Sequence, residues 1–305
     1  VCVTDIATID LAQQLAFLPD VVLTSFGDML RVPGSNGSLL SARAAGAHVM
    51  TVYSPLDAVG YAQNHPEQQV VFFAVGFETT APATALAVLQ AHQLGLKNFS
   101  VLVSHVRVQP AMEALMQDPD NRVQGFLAAG HVCTITGYES YADFATRFHV
   151  PVVVTGFEPV DLLQGILECV TQLESGKSEV SNSYGRSVER FGNPAAGRIV
   201  ETVYEIADRA WRGFGVIPAG GYRLRSDYTN YDAQRRFEPT CTPTTHVSED
   251  LQRCKAGDVL AGRLKPCDCP EFGKACTPDS PLGAPMVSSE GACAAWYRYH
   301  GGSVL

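Results

Sequence analysis

The sequence is poor in charged residues and has no long apolar run. Asp, Glu, Lys and Arg make up 17% of its 305 residues, hydrophobic residues make up 46%, and the net charge is −9. No run of Lys or Arg is present, which excludes the basic surface that binds nucleic acid or anionic membranes. No apolar stretch reaches the length of a membrane span. The composition therefore predicts a soluble globular protein of two or three domains, with no nucleic-acid or membrane partner.

Nucleotide-binding and export motifs are also missing. Neither GxGxxG nor GxxxxGK[ST] follows an apolar run, so a dinucleotide site or a P-loop has no support. Residues 1–5 contain no basic region followed by an apolar core, so we expect no signal peptide and a cytoplasmic protein. The chain begins without Met, abruptly, at a cysteine in what resembles a strand-end loop. We therefore expect that it is incomplete at its N-terminus.

Five of the nine cysteines crowd into the Gly/Pro-rich segment 254–293. Four of them form the pattern C-x14-C-x6-C-x16-C and are candidate metal ligands: Cys254, Cys269, Cys276 and Cys293. Thiolates suit iron–sulfur clusters and zinc, whereas an odd number of cysteines, four of them scattered singly, disfavours a disulfide framework. A cluster, a structural zinc and unligated thiols remain as interpretations. The cluster is favoured because no C-x2-4-C pair, typical of zinc, is present.

The end of this segment predicts a helix. Ser288, Ser289 and Glu290 resemble a helix start, which would place Cys293 near the N-terminal end, where free backbone N–H groups favour a thiolate. Cys267 lies two residues before a candidate ligand and is expected to be a bystander.

Residues 21–175 repeat one pattern: a short β-branched run, a polar or glycine-containing turn, then an amphipathic helix. This alternation predicts a parallel α/β fold. The predicted strands are Val21–Phe26, His48–Tyr53, Val70–Phe77, Phe99–Ser104, Gly125–Gly130 and Val150–Gly156. Helices are expected to start at Ser54-Pro55, Thr80-Ala81-Pro82, Pro159 and Asn193-Pro194. In the last two, one helix face collects the apolar residues Val160, Leu163, Leu167 and Val170, and Ile199, Val203, Ile206 and Ala210.

Polar side chains follow the predicted strands, at the edge of a parallel sheet where ligands bind. Asp28, Glu78 and His131 are the candidates for chemistry there. His131, like His105, also directly follows a strand, and for both histidines a site and a structural role are equally expected. The simpler interpretation of Asp28 and Glu78 is that they stabilise helix starts. Cys2 is a redox thiol if nearby N–H groups favour its thiolate, and a small buried hydrophobe otherwise.

Four segments, in order along the chain, closely resemble one protein family. They are residues 25–35 (SFGDMLRVPGS), 53–57 (YSPLD), 72–82 (FFAVGFETTAP) and 269–293, which carries three of the four candidate ligands. Over nearly its whole length the chain is similar to HypD, the family of iron–sulfur scaffold proteins of [NiFe]-hydrogenase maturation.

The resemblance implies a [4Fe-4S] cluster on the four cysteines and a redox-active scaffold rather than a conventional metabolite-converting enzyme. With the chaperone HypC, such a scaffold holds a transient iron that receives cyanide from HypE and carbon monoxide. The Fe(CN)2CO unit then passes to the hydrogenase large subunit. Cys2 matches the second cysteine of the family's Cys-Pro-Val-Cys motif, whose first cysteine would lie upstream of this chain. His131, Glu78 and Asp28 are the expected polar groups of the iron-binding cleft.

The expected architecture is α/β, with two parallel-sheet α/β domains and a small C-terminal iron–sulfur cluster domain. Their expected bounds are residues 1–66 (incomplete at the N-terminus), 67–234 (with a helical extension) and 235–305. Ala256 and Pro285 stand where some relatives have an additional cysteine pair, so a thiol relay through them is not expected. Two alternatives remain: a free-standing iron–sulfur oxidoreductase and a zinc-stabilised interaction module.

Overall fold

The computed structural model describes residues 1–241 and 253–300. Its strands are β1 (Val21–Ser25), β2 (Pro33–Gly34), β3 (Gly37–Ser38), β4 (Val49–Thr51), β5 (Gln69–Gly76), β6 (Phe99–His105), β7 (Phe126–Ala129), β8 (Val152–Thr155), β9 (Val180–Asn182), β10 (Tyr204–Trp211) and β11 (Gly215–Leu224). Its α-helices are α1 (Ile6–Ala16), α2 (Leu39–Ala44), α3 (Pro55–Asn64), α4 (Ala81–Gln93), α5 (Val108–Met116), α6 (Gly130–Thr136), α7 (Tyr141–Phe148), α8 (Pro159–Glu174), α9 (Pro194–Val203), α10 (Ala233–Phe237), α11 (Ala256–Leu260), α12 (Ala284–Val287) and α13 (Ala292–His300). Within the described ranges, no helix is long and apolar enough to cross a membrane.

Four parallel strands form the first sheet, in the order β4–β1–β5–β6. Successive side chains of β5 enter separate cores because neighbouring residues of a strand point to opposite faces. Val71 and Phe73 pack with residues of α1 and α2, whereas Val70 and Phe72 pack with residues of α3 and α4. Both faces of this sheet are therefore buried, which explains why its strands are almost continuously apolar.

Strands β7, β8 and β9 form a second parallel sheet. Val152 and Val154 of β8 pack with Phe144 of α7 in a separate hydrophobic core. The two parallel sheets, with their helices, confirm the predicted α/β class. All six predicted strands are present, each within two residues of its expected bounds.

Helix α8 packs on the second sheet through small and polar residues. Gly165 brings the helix so close to β8 that a Cβ there would lie 3.0 Å from Thr155, and Asp161 and Gln172 are buried beside it. The apolar face that the sequence predicts is consequently exposed to solvent. Its exposed residues are Val160, Leu163, Ile166, Leu167, Val170 and Leu173.

Strands β10 and β11 form an antiparallel hairpin where the sequence pattern predicts helix. Helix α9 starts as expected but ends at Val203, and Ile206 and Ala210 lie in β10. The prediction that these two residues continue the helix face is wrong. Their spacing suits a helix, but the turn between the strands has Gly213 and Gly215 at positive φ (84° and 74°), which lets the chain reverse and pair.

The cysteine-rich lobe, defined as residues 253–300, contains the short helices α11 to α13, a 3₁₀ turn at Pro266–Asp268 and the segments between them. Met286 and Ala294 form its small core with Cys276. Ala284 instead joins a cluster with Val3 and Trp211 that packs the lobe against the hairpin and the N-terminal turn.

The expected division of the chain into three domains stays a prediction. The first sheet contains strands from both sides of residue 66, since β1 pairs with β4 and also with β5. Of the expected third domain, residues 242–252 and 301–305 lie outside the described residues.

His105 ends β6 as a fully buried side chain with a structural role. Its Nδ1 lies 3.2 Å from the hydroxyl of Thr80, and its Nε2 lies 3.1 Å from the hydroxyl of Thr84. Burial lowers the pKa of His105 to about 3. The ring is therefore neutral at physiological pH, held by two hydroxyl groups.

The buried imidazole of His105 should make the fold sensitive to acid. The unfolded chain takes up this proton near pH 6.5, whereas the folded chain does so only near pH 3. The free energy of unfolding should therefore fall as the pH drops below 6.5, by up to about 1.4 kcal/mol per pH unit. His105→Gln, which is neutral at every pH, should remove this contribution in urea unfolding followed by circular dichroism. The exposed-residue control His48→Gln should keep it, and identical slopes for all three proteins would contradict the assignment.

Candidate metal centre

Four thiols line one small cavity in the cysteine-rich lobe: those of Cys254, Cys269, Cys276 and Cys293. The rest of the lining is mostly apolar and comprises Lys255, Ala256, Val259, Phe272, Gly283, Pro285 and Met286. The space between the lining atoms is about 290 Å³, its opening included, of which only about 20 Å³ admits a water-sized molecule.

The pocket raises the pKa of two of its thiols, Cys254 and Cys293. Burial, and after it the neighbouring Cys276, Cys254 and Cys269, raise the pKa of Cys293 to about 12. Burial is also the largest cause of the raised pKa of Cys254, and Cys276 and Cys269 add to it. Several thiolates are thus unstable together here without a cation. A coordinating thiol is deprotonated outright because the metal supplies that positive charge, so this donor set fits a cluster or zinc.

The thiols surround the pocket without a preformed single-ion site. Across residues 1–241 and 253–300, no three His, Cys, Asp or Glu side chains are grouped closely enough to hold one metal ion.

Two backbone positions press against the sulfur atoms. The Leu282 N–H donates to Cys276 Sγ over 3.5 Å. The next residue is Gly283, and a Cβ there would overlap the sulfur of Cys254. The turn Pro281–Gly283 is therefore a wall of the pocket in which glycine leaves the space that a ligand sulfur occupies.

Cys293 lies in the first turn of α13, as predicted, although the helix starts later than expected. Ser288 forms a turn instead, because its side chain accepts from the Glu290 N–H (3.2 Å) and its carbonyl accepts from the Gly291 N–H (2.9 Å). The helix then begins at Ala292.

Cys267 lies outside the cavity. Its thiol is exposed and 3.6 Å from the Asp268 carboxylate, which agrees with the role of a bystander. Ala256 and Pro285, the two positions discussed for a thiol relay, line the cavity but bring no sulfur to it.

Cys2 lines a second cavity, about 420 Å³ in volume and mostly apolar. Phe77 and Trp211 form part of its wall, and the cysteine-rich lobe supplies Pro285 and Glu290. Pro285 lines both cavities. The fold thus brings Cys2, some 250 residues from the lobe in sequence, to the other side of a wall of the four-cysteine pocket.

His131 lies near this second cavity, at the start of α6. Its ring is exposed and packs 4.8 Å from the ring of Phe157. Partial burial lowers the pKa of His131, and the negative charge of Glu290 opposes that shift. A residue of the lobe and a residue of α6 therefore interact electrostatically.

Glu78 is buried just after β5, with 7% of its surface exposed. Its Oε1 accepts from the Val108 N–H over 2.9 Å, and Oε2 has no hydrogen-bond partner among the described residues. Burial raises the pKa of Glu78. With Arg107 and Tyr222 it lines a third cavity, of about 650 Å³. A carboxyl group with a raised pKa keeps its proton to a higher pH than an exposed carboxyl group does.

Asp28 is exposed after β1, and its carboxylate caps a short 3₁₀ turn by accepting from the Met29 N–H over 2.9 Å. Ser54 and Asp57 likewise form a capping box at the start of α3. At these positions the observed side-chain hydrogen bonds are those of helix caps, in line with the simpler interpretation.

Sequence reasoning missed Arg212, which is buried beside the four-cysteine pocket with 3% of its surface exposed. Its guanidinium donates to the carbonyl oxygens of Pro33 (2.8 Å), Pro281 (3.2 Å) and Leu282 (3.4 Å). No sequence motif marks it, because its partners are backbone atoms from two distant segments.

Comparisons with known proteins identify a family model that matches this chain and proteins that are similar to it. The model of the HypD family, described as "Hydrogenase formation hypA family", matches residues 1–300. The chain is 45% identical over 302 residues to hydrogenase maturation factor HypD of Rhodobacter capsulatus, covering 99% of this chain and 80% of that protein. It is also 45% identical over 300 residues to HypD of Escherichia coli, covering 98% and 79%. Hydrogenase expression/formation protein HupD of Azotobacter chroococcum is 46% identical over 306 residues, covering 98% and 80%.

Gly283→Ala should weaken metal retention in the pocket. The added methyl group would overlap the Cys254 sulfur and push this ligand away, which we expect to cost about tenfold in metal affinity. The measurement is the iron, sulfide and zinc retained per chain against increasing chelator. Gly257→Ala is the matched control because a Cβ there meets nothing within 4 Å. Equal retention in the two variants would show that Gly283 does not make room for a ligand.

Proposed function

Since the chain belongs to the HypD family of hydrogenase maturation factors, we propose that it is a cytoplasmic scaffold whose resident cofactor is a [4Fe-4S] cluster. Its proposed cargo is a transient iron atom that becomes Fe(CN)2CO before it passes to a hydrogenase large subunit. A HypC-type chaperone holds the iron together with this chain, and a HypE-type protein donates the cyanide. In this proposal the protein acts as a scaffold with redox support and does not convert a metabolite as a conventional enzyme does.

The observation that carries the proposal is the apolar pocket lined by Cys254, Cys269, Cys276 and Cys293. When bound, a cluster supplies one electron at a time to redox chemistry. The four thiolates hold it, the Leu282 N–H donates to a ligand sulfur, and the apolar lining keeps water away. A cluster distributes four thiolates over four irons, so the thiols need not meet at one atom as a zinc site requires.

Cys2 is the proposed redox thiol of the scaffold. It lies beside a cavity that shares Pro285 with the four-cysteine pocket. A disulfide between Cys2 and its expected upstream partner would be reduced to two thiols by two electrons and two protons, the electrons passing one at a time through the cluster. His131 is exposed near this cavity and can exchange a proton there. Glu78, with its raised pKa, is a proposed proton-holding group, and Asp28 is a proposed polar contact that a partner can reach.

The exposed apolar face of α8 is the proposed contact for the HypC-type chaperone. Leu163 and Leu167 are each 67% exposed on adjacent turns of this face. An apolar patch of this kind on a soluble protein typically marks an interaction site, and a maturation scaffold acts with the rest of its machinery.

Cys269→Ala should remove the cluster without unfolding the parallel sheets. The chain purified without oxygen should contain about four irons and four sulfides, and the variant should lose them and fail to support hydrogenase maturation. Cys267→Ala is the matched control, since this neighbouring thiol lies outside the pocket, and it should keep both. The measurements are metal and sulfide analysis with Mössbauer and EPR spectra, and circular dichroism to verify the fold. Stoichiometric zinc without sulfide in the reconstituted chain would refute the cluster.

Leu163→Asp should weaken binding of a HypC-type protein. Losing a buried leucine contact costs about 1.5–3 kcal/mol, which is at least about tenfold in the dissociation constant measured by calorimetry. Gln63→Asp is the control because it adds the same charge at an exposed position of a different helix, α3. Equal affinities of the two variants would place the chaperone contact elsewhere.

A further inference from the structure

Arg212 is a buried cation whose three side-chain hydrogen bonds all go to backbone carbonyl oxygens. They join Pro33, after the first strand, to Pro281 and Leu282 of the cysteine-rich lobe. Carbonyl oxygens satisfy the N–H groups of a guanidinium but do not neutralise its charge. Arginine keeps that charge even when it is buried. The lobe therefore packs against a side chain that carries a full positive charge.

The negative groups that act on this charge include two cysteines of the pocket. Burial lowers the pKa of Arg212, and the largest opposing effect comes from Cys254, followed by Asp5, Cys276 and Asp10. The guanidinium thus lies within electrostatic range of two proposed cluster ligands. In a buried site with few mobile ions, such an interaction is weakly screened.

A single residue links the guanidinium to a ligand sulfur. Leu282 accepts from Arg212 Nε through its carbonyl (3.4 Å) and donates from its own N–H to Cys276 Sγ (3.5 Å). Gly283, the next residue, lies against the sulfur of Cys254. By holding Pro281 and Leu282, Arg212 therefore fixes the wall that touches both sulfurs.

The backbone of Arg212 holds the N-terminal turn. Its N–H donates to the carbonyl oxygen of Val3 over 2.9 Å, and the preceding Trp211 pairs with Thr4 in an isolated β-bridge. Val3 is the neighbour of Cys2. One residue thus bonds both to the segment that carries the proposed redox thiol and to the wall of the four-cysteine pocket.

We propose that Arg212 is a positioning residue that raises the reduction potential of the cluster and fixes the lobe against the turn carrying Cys2. The proposal rests on the cluster assigned under the proposed function. Reduction adds one negative charge to the cluster, so a nearby fixed cation favours the reduced state. The N–H that Arg212 holds toward Cys276 acts in the same direction, because hydrogen bonds and net charge at the sulfurs set the potentials of such clusters.

The test is a redox titration of the cluster, followed by EPR, in the full chain and three variants. Arg212→Gln removes the charge, and Arg212→Lys keeps it but lacks the planar fork that reaches three carbonyls. Arg209→Gln is the control: Arg209 is a mostly buried arginine of β10, three residues before Arg212, and it donates to the Tyr222 carbonyl. At a fixed ambient potential, the ratio of reduced to oxidised cluster should fall about tenfold in Arg212→Gln, equivalent to about 59 mV for one electron. It should fall less in Arg212→Lys and stay unchanged in Arg209→Gln.

Iron and sulfide analysis and circular dichroism of the same samples separate the possible failures. A loaded position-212 variant that keeps the wild-type potential overturns the inference, as does an equal shift in Arg209→Gln. If Arg212→Gln fails to fold, Arg212→Lys decides by the same criterion. A wild-type chain that takes up no iron and sulfide would instead overturn the cluster itself, and this inference with it.

Discussion

The packing of the cysteine-rich lobe against the rest of the protein depends on the buried guanidinium of Arg212. Its hydrogen bonds reach Pro33 on one side and the Pro281–Leu282 backbone on the other, while its own N–H holds Val3. Removing a full charge from water is costly unless hydrogen bonds and nearby opposite charge compensate it. The carbonyl oxygens supply the first compensation. The second depends on the protonation of the cysteines that face the same wall.

The charge of Arg212 therefore couples the packing of the lobe to the state of its thiols. Protonated thiols are neutral and leave Asp5 and Asp10 as the negative groups that act on the cation. Burial favours this protonated form, as the raised pKa of Cys254 and Cys293 indicates. Ligated thiolates are negative and interact favourably with the guanidinium. Metal binding requires deprotonation of the cysteine thiols, and it stabilises the folded state that binds the metal. Binding of the cofactor and packing of the lobe should therefore strengthen each other.

The sequence predicted the features that depend on local pattern or on chemistry that few residues share. The six parallel strands are short apolar runs bounded by turns, and the four candidate ligands are unusual in number and spacing. The sequence could not predict the hairpin, because the spacing of Ile206 and Ala210 is compatible with a helix and with a strand. Only the pairing with β11 decides between the two. The sequence pattern could not predict which face of α8 packs on the second sheet, because Gly165, a single small residue, determines which face can approach β8. Arg212 could not be found because its partners are backbone atoms, which carry no sequence signature.

Pro285 would limit how electrons pass between the proposed cluster and the proposed redox thiol Cys2. It lines both the four-cysteine pocket and the cavity of Cys2, and Ala256 at the other relay position is equally without sulfur. Thiol–disulfide exchange needs a thiolate at each step, so a relay of exchanges through this wall is chemically closed in this chain. In the proposed scaffold, electrons would therefore have to cross the wall directly. Transfer then depends on how closely the lobe is held against the N-terminal turn, and this is the distance that Arg212 fixes through its bonds to Leu282 and Val3.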